Sequence, residues 1–357
     1  MLVIRRLHRA RTQLVATAVA AALALAACSS SGGSTIAPSS AATGTPTASS
    51  GSPAALVPLT VGLGYIPSVQ FAQFYLAQQA GYYRAAGLEV TFQNKIDPDL
   101  ITLVGQGSID VGVADGTSVI PAGSQGIPIR YVATIYAQDP NIVVATAKSG
   151  ITKAADLKGR KVGIPGKYGS SWVMLQALLK GAGLTPNDVQ IVLYPDFGQA
   201  VALQQGAVDA STGFANNEPI QLELAGASPV VLRPDPASAM PGPGLIASTK
   251  TIDARGPAVS AFVAATLRAM KDIEADPNKG LDAAIAVVPA LGQDRPTQLK
   301  ILQATTAMWE SDVTRAHGIG AVDTAAWTRA IAFLASIGLV ANPVTADQLV
   351  TTALLPK

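Results

Sequence analysis

Cysteine is almost missing from this chain: Cys28 is the only one in 357 residues. An internal disulfide framework is therefore excluded. Histidine is nearly as scarce, with His8 and His317 the only two. A zinc site of Cys and His ligands cannot be assembled from that inventory, and neither can a Cys–His catalytic pair. A Ser–His–Asp triad would have to use His317, which sits beside Gly318 and Gly320 in a helix-rich tail, away from any nucleophile-elbow pattern. That histidine reads as a surface residue at a helix end. No catalytic residue, cofactor or metal site is expected.

Charge is also sparse. Only 13% of residues are Asp, Glu, Lys or Arg, against about 25% in an average soluble domain. The 25 basic residues nearly balance 23 acidic ones, and four of the basic ones, Arg5, Arg6, Arg9 and Arg11, precede position 28. The remainder carries 21 basic and 23 acidic residues, a net charge of −2. It has no basic block, so nucleic acid is not an expected partner.

What is present begins at the N-terminus. The four arginines form a basic n-region, and an apolar, Ala-rich run from Leu14 to Ala27 follows. That run is too short for a membrane span and ends in small residues, as a secretory signal does. Arg5-Arg6 fits a twin-arginine signal poorly, so general secretion is expected. Leu25-Ala26-Ala27-Cys28 resembles the lipobox of bacterial lipoproteins, which implies cleavage before Cys28 and acylation of that cysteine. An ordinary signal with an incidental cysteine is the competing account. From Ser29 to about Pro58 the chain is nearly all Ser, Gly, Thr, Ala and Pro, a composition that cannot bury a core and behaves as a tether. Two acyl chains anchor firmly where one does not. The expected protein is extracytoplasmic, lipid-anchored and monomeric.

About 300 residues remain, enough for two lobes. Strand-like runs at Thr60–Gly64, Leu88–Phe92, Asp110–Ala114 and Ile129–Ile135 alternate with helical ones at Gln70–Arg84 and Leu100–Gln106. A second series repeats the theme: strands Lys161–Ile164, Val189–Leu193 and Val208–Gly213, with helices Ser170–Gly181 and Gly198–Gln205. Such alternation argues an α/β fold with mostly parallel sheet. Leu103–Asp110 and Leu203–Asp209 echo each other, each leaving a helix through Gly and entering a strand through Ile/Val-Asp. Helical segments at Pro257–Glu274, Pro296–Trp309 and Ala325–Ser336 close the chain and are expected to pack on the first lobe. The expected division is a signal over 1–27, an acylated tether over 28–58, a first lobe over 59–145 and 246–357, and a second lobe over 146–245. Segments near Asn141–Ala147 and Gly244–Ser248 would hinge a cleft between them.

In open parallel sheets, ligands bind where loops leave the carboxyl ends of strands. Fourteen of the eighteen aromatic residues fall between Tyr65 and Phe214. Tyr65, Phe71, Tyr136, Tyr168, Trp172, Phe197 and Phe214 lie in cleft loops or first helical turns, where aromatic walls suit a flat π-system. Gln70, Asp115, Asp196, Asn216, Asn217 and Glu218 stand among them as edge donors and acceptors. Core packing is the competing account for any one aromatic, Phe71 above all. Thr117, Ser170 and Ser171 open helices, whose N-termini can hold an anionic group, although capping alone explains Ser and Thr there. Glu218 could accept from a ring N–H, yet Pro219 beside it marks a helix start where an acid is favoured anyway. Lys167 is the only basic side chain in these loops, which disfavours a strongly anionic ligand.

The run Gly64-Tyr65-Ile66-Pro67-Ser68-Val69-Gln70-Phe71-Ala72-Gln73-Phe74-Tyr75, followed by Gly81–Leu88, resembles the opening of ABC-transporter solute-binding proteins of the thiamine-pyrimidine and alkanesulfonate type. Asp156–Gly166 is similar to that superfamily's entry to its second lobe. The Val-Gln-Phe-Ala run, Gly166–Ser171 and Ala215–Pro219 look most like its riboflavin and thiamine-precursor branch. The resemblance covers about Thr60 to Arg268. It implies a two-lobed periplasmic-binding-protein fold of type II, a closing hinge, a small-molecule ligand and an ABC permease partner. Binders of sulfonate, nitrate and aromatic carboxylates share the scaffold. Pyrimidine synthases do too, but they rely on histidine and a cysteine-rich segment that this chain lacks. A sensor module for a membrane kinase would have similar lobes.

Overall fold

The structure, a computed structural model, describes residues 55–94, 100–234 and 240–356. The expected leader, Cys28 and most of the tether lie outside the described residues. Val57 and Pro58, assigned by composition to the tether, already belong to strand β1 (Val57–Gly62). Pro58 is tolerated there because β1 meets its second neighbour only at Val61 and Gly62, so no ladder bond is lost.

From β1 the chain enters α1 (Ala72–Gln79) and α2 (Tyr82–Ala85), then β2 (Leu88–Gln93), α3 (Leu100–Gln106), β3 (Val111–Asp115), α4 (Gly116–Ser124) and β4 (Ile129–Thr134). The single helix expected over Gln70–Arg84 is divided at Gly81, whose φ of 73° is left-handed and ends α1. The chain then crosses into β5 (Asn141–Thr146), β6 (Lys161–Ile164), α5 (Gly169–Gly181), β7 (Gln190–Leu193), α6 (Gln199–Gln204), β8 (Ala210–Phe214), α7 (Glu218–Leu224) and β9 (Pro229–Leu232). It returns through β10 (Pro243–Ser248).

Two five-stranded sheets result, ordered β2-β1-β3-β10-β4 and β7-β6-β8-β5-β9. In each, four strands run in the same direction and one strand from the far side of the crossover inserts antiparallel between the third and the fourth. Asn141–Thr146, placed by the sequence with the first lobe up to residue 145, therefore pairs in the second sheet. Its pattern could not reveal this, because a fully buried apolar strand suits either sheet.

The remaining helices are α8 (Thr249–Ala275), α9 (Pro277–Val287), α10 (Arg295–Ala307), α11 (Asp312–His317), α12 (Thr324–Ser336) and α13 (Ala346–Leu349). They cover the first sheet. Phe262 of α8 stacks on Phe74 and Tyr83, and Val263, Met270, Leu281 and Ile301 complete that core. Trp327 of α12 packs on Tyr131 with ring centroids 4.9 Å apart, beside Ile120 and Leu349. Helix α8 bends at Arg255, and Pro257 begins its second run, where a missing N–H costs nothing. The second lobe has smaller cores on either face of its sheet, one around Val162, Met174 and Leu178 and one around Ile142 and Leu203. Among the described residues, no helix is long and apolar enough to cross a membrane.

Candidate ligand-binding cleft

The carboxyl ends of β1, β3, β6, β7 and β8 all deliver loops to one place. A cavity of about 240 Å³ opens there, lined from both sheets and mostly apolar. Tyr65 follows β1, Gln70 and Phe71 form the turn before α1, Asp115 ends β3, and Tyr136 follows β4. Facing them are Tyr168, Ser170 and Ser171 at the start of α5, Phe197 before α6, and Phe214, Asn217 and Glu218 between β8 and α7. Twelve of the sixteen residues expected from the sequence thus share one wall.

Aromatic rings span the cleft. Tyr65 meets Phe197 edge to face, centroids 5.0 Å apart. Phe197 has φ 61°, the one positive φ at a non-glycine position among the described residues. Holding a bulky residue there costs about 1–3 kcal/mol and needs surrounding support, a pattern concentrated at ligand clamps. The Phe197 N–H donates to the Tyr194 carbonyl at 2.9 Å, which tightens the turn that aims the ring. Burial, and secondarily the Glu218 carboxyl, push the Tyr65 phenol up to about 12, so it stays a donor at neutral pH. Tyr168 caps the mouth at 44% exposure, and its ring lies over Gly166, where a Cβ would clash at 2.1 Å.

The polar groups are placed as tightly. Glu218 Oε2 accepts from the Phe214 N–H at 2.6 Å and Oε1 from Asn217 Nδ2 at 3.3 Å. Its side chain lies flat on Gly213, where a Cβ would come within 2.6 Å of Glu218 Cγ. Burial raises the Glu218 pKa. Asp115 stands opposite, its pKa raised by burial and partly restored by the Ser170 hydroxyl and Asn141. Asn141 Nδ2 lies 3.5 Å from Asp115 Oδ2 and 2.7 Å from Asp139 Oδ1. Asp139 is pushed up to about 7, first by burial and then by the Asp115 charge.

Four expected residues are elsewhere. Trp172 packs into the second lobe's core with Met174 and Leu178, because its position on α5 faces that lobe's own sheet. Asp196 points to solvent and accepts from the Gly198 N–H at 3.1 Å, a local turn bond. Thr117 is buried inside α4, and its Oγ1 has no partner. Asn216 is fully buried and donates through Nδ2 to Thr305 Oγ1 of α10 at 2.7 Å, tying the second lobe to the first. The lobes also meet through Val173 and Ala177 of α5, which pack with Val119 and Ile120 of α4.

Gln199 and Ser118 line the cavity without having been singled out as site residues. A signal for Gln199 existed: it precedes Ala202 and Leu203 at helical spacing on the buried face of α6, so a polar residue there lacked water and needed a purpose. Leu63, Leu100, Ile101 and Val113 supply apolar wall that no motif distinguishes from core.

The NMT1/THI5-like family model matches residues 68–280. The riboflavin-binding protein RibY of Chloroflexus aurantiacus is 32% identical over 303 residues, covering 84% of this chain and 86% of that protein. The 4-amino-5-hydroxymethyl-2-methylpyrimidine phosphate synthase of Legionella pneumophila is 27% identical over 50% of this chain and 55% of its own length. Among solved structures, the alkanesulfonate-binding protein SsuA of Xanthomonas axonopodis pv. citri, bound to MOPS, superposes with a TM-score of 0.63 at 19% identity, covering 85% of this chain and 99% of that one. The periplasmic aliphatic sulphonate binding protein SsuA of Escherichia coli gives 0.63 at 20% identity over 82% and 96%. The fold is that of the two-lobed periplasmic binding proteins, and the chain belongs to the NMT1/THI5-like family.

Proposed function

We propose that the chain is the solute-binding component of an ABC importer and that it captures a flat heterocycle of the flavin or pyrimidine-precursor kind. One observation carries this reading: aromatic side chains from both lobes close on an apolar cavity whose edge holds buried hydrogen-bonding groups. Flat rings gain contact area between such walls at little entropic cost, and polar groups at the rim set orientation. A relative that shares more than four-fifths of each chain, at 84% and 86%, is a riboflavin-binding protein, which supports a binder over an enzyme. The synthases match only about half of their own length, and the cavity wall contains neither histidine nor cysteine. Cys28 would carry the lipid anchor, and the Ser/Gly/Thr/Pro tether would let the two-lobed domain reach a permease at the outer face of the membrane.

The test is thermal unfolding with riboflavin, thiamine, 4-amino-5-hydroxymethyl-2-methylpyrimidine, taurine, nitrate and benzoate. A ligand of the native state raises Tm with its concentration. A shift with riboflavin or the pyrimidine, weakened tenfold or more by Phe197→Ala and Glu218→Ala, is the expected result. A shift confined to taurine, nitrate or benzoate would replace the heterocycle with an anion, and no shift from any compound would overturn the proposal.

A further inference from the structure

Among the described residues, the cavity is lined by two carboxyl groups, Asp115 and Glu218, and by no lysine, arginine or histidine. An anion moved from water into such a place needs a counter-charge or a full set of donors. The positive ends of α4 and α5 are the remaining candidates for that role, and the Asp115 carboxyl stands beside both. Asp115 immediately precedes α4, and Ser170 in the first turn of α5 reaches the same carboxyl. Protonated or ionised, Asp115 offers an incoming anion no positive charge. Behind it Asn141 links Asp115 to a third carboxyl, Asp139. Arg233 approaches Asp139 from the other side, its Nη1 3.4 Å from the Asp139 carbonyl, and does not line the cleft. Lys167 is exposed and also lies outside the wall.

A second observation concerns Gln199. It is 4% exposed and lines the cavity, yet its Oε1 has no hydrogen-bond partner, while its Nε2 reaches the Thr212 carbonyl at 3.4 Å. A buried acceptor left open is costly unless something fills it. With Glu218 on the same lobe, it makes this wall rich in acceptors, and the complementary ligand presents N–H or O–H groups.

Building on the heterocycle reading above, we infer that the cleft selects the uncharged, hydrogen-donating form of its ligand and rejects phosphorylated or sulfonated counterparts. Asp115, Glu218 and the open Gln199 Oε1 act as the filter. A phosphomonoester of the ligand must then be hydrolysed outside the cell before capture.

The test uses matched pairs on the full chain in detergent, followed by calorimetric titration: riboflavin against riboflavin 5′-phosphate, and 4-amino-5-hydroxymethyl-2-methylpyrimidine against its phosphate. In whichever pair binds, the neutral member is expected to bind at least tenfold more tightly. Asp115→Asn and Glu218→Gln, both near-isosteric, are each expected to narrow that ratio severalfold, and Gln199→Leu is expected to narrow it as well, by weakening the neutral member. Equal or tighter binding of a phosphate ester overturns the filter while leaving the heterocycle reading intact. Binding of neither pair, with or without a sulfonate shift, removes the reading on which the filter rests.

Discussion

Asp110 and Asp209 do the same work in the two lobes. Each follows a helix that ends in a left-handed glycine, Gly107 with φ 78° and Gly206 with φ 74°. Each carboxylate accepts a backbone N–H of the neighbouring parallel strand, Thr60 in one case and Lys161 in the other, both at 2.8 Å. The sheets they support have the same strand order and the same inserted antiparallel strand. The lobes differ in what surrounds this frame. In the first, Asp110 pairs with Arg255 of α8 beneath a thick helical layer, with side chains 17% and 31% exposed respectively. In the second, Asp209 faces Arg160 across 3.9 Å at the surface. One motif is therefore a partly buried joint in one lobe and a surface brace in the other. The first lobe carries the thicker helical cover, and the second contributes the strained Phe197 and the flat-lying Glu218.

The largest expected effect tests that contrast directly. Asp110→Ala should lower stability by about 3 kcal/mol, because it strands a partly buried N–H and an arginine. Asp209→Ala should cost about 1 kcal/mol, as an exposed pair contributes little. Urea unfolding of both variants measures the difference, and equal losses would break the comparison. Next comes the seam between lobes. Val173→Asp places a charge where α5 packs on α4, so it should favour the open form and weaken ligand affinity on the order of 100-fold, with a larger radius of gyration in small-angle scattering.

Trp172→Ala separates lobe stability from binding. It should cost about 2 kcal/mol through lost packing in the second lobe and leave ligand affinity nearly unchanged in titration. A large affinity loss would return Trp172 to the cleft wall.

The last prediction concerns pH. Asp139 is raised from 3.8 to about 7, so the folded state holds its proton more tightly than the unfolded state. Its stabilising contribution is present below pH 3.8 and is lost as pH rises to about 7. Stability of the chain should therefore fall gradually across that window, and Asp139→Asn should flatten the fall; a profile unchanged by the variant contradicts this.

Much of the cleft was legible because its logic is local. Loops at the carboxyl ends of parallel strands can be placed once strands are recognised, and Tyr65, Tyr168, Phe197 and Glu218 sit in those loops. Trp172 shows the limit. It adjoins Ser171 in sequence and belongs to the same helical turn, yet one residue of rotation, about 100°, carries it from the cleft to the core. Asn216 shows another: its partner Thr305 lies on a helix far along the chain, and no local pattern announces such a contact.

The sequence by itself determined the alternation of strands and helices, the repeated Gly-to-Asp entry into each sheet and the aromatic-rich loops, since each depends on backbone propensity, periodicity and turn chemistry over a few residues. Tertiary structure alone decided that Asn141–Thr146 crosses into the second sheet, that Asp110 and Asp209 have unequal surroundings, and that Gln199 is left open toward the cavity. Those outcomes depend on which distant surfaces exclude water from one another. Burial of that kind is a property of the packed chain and not of any segment.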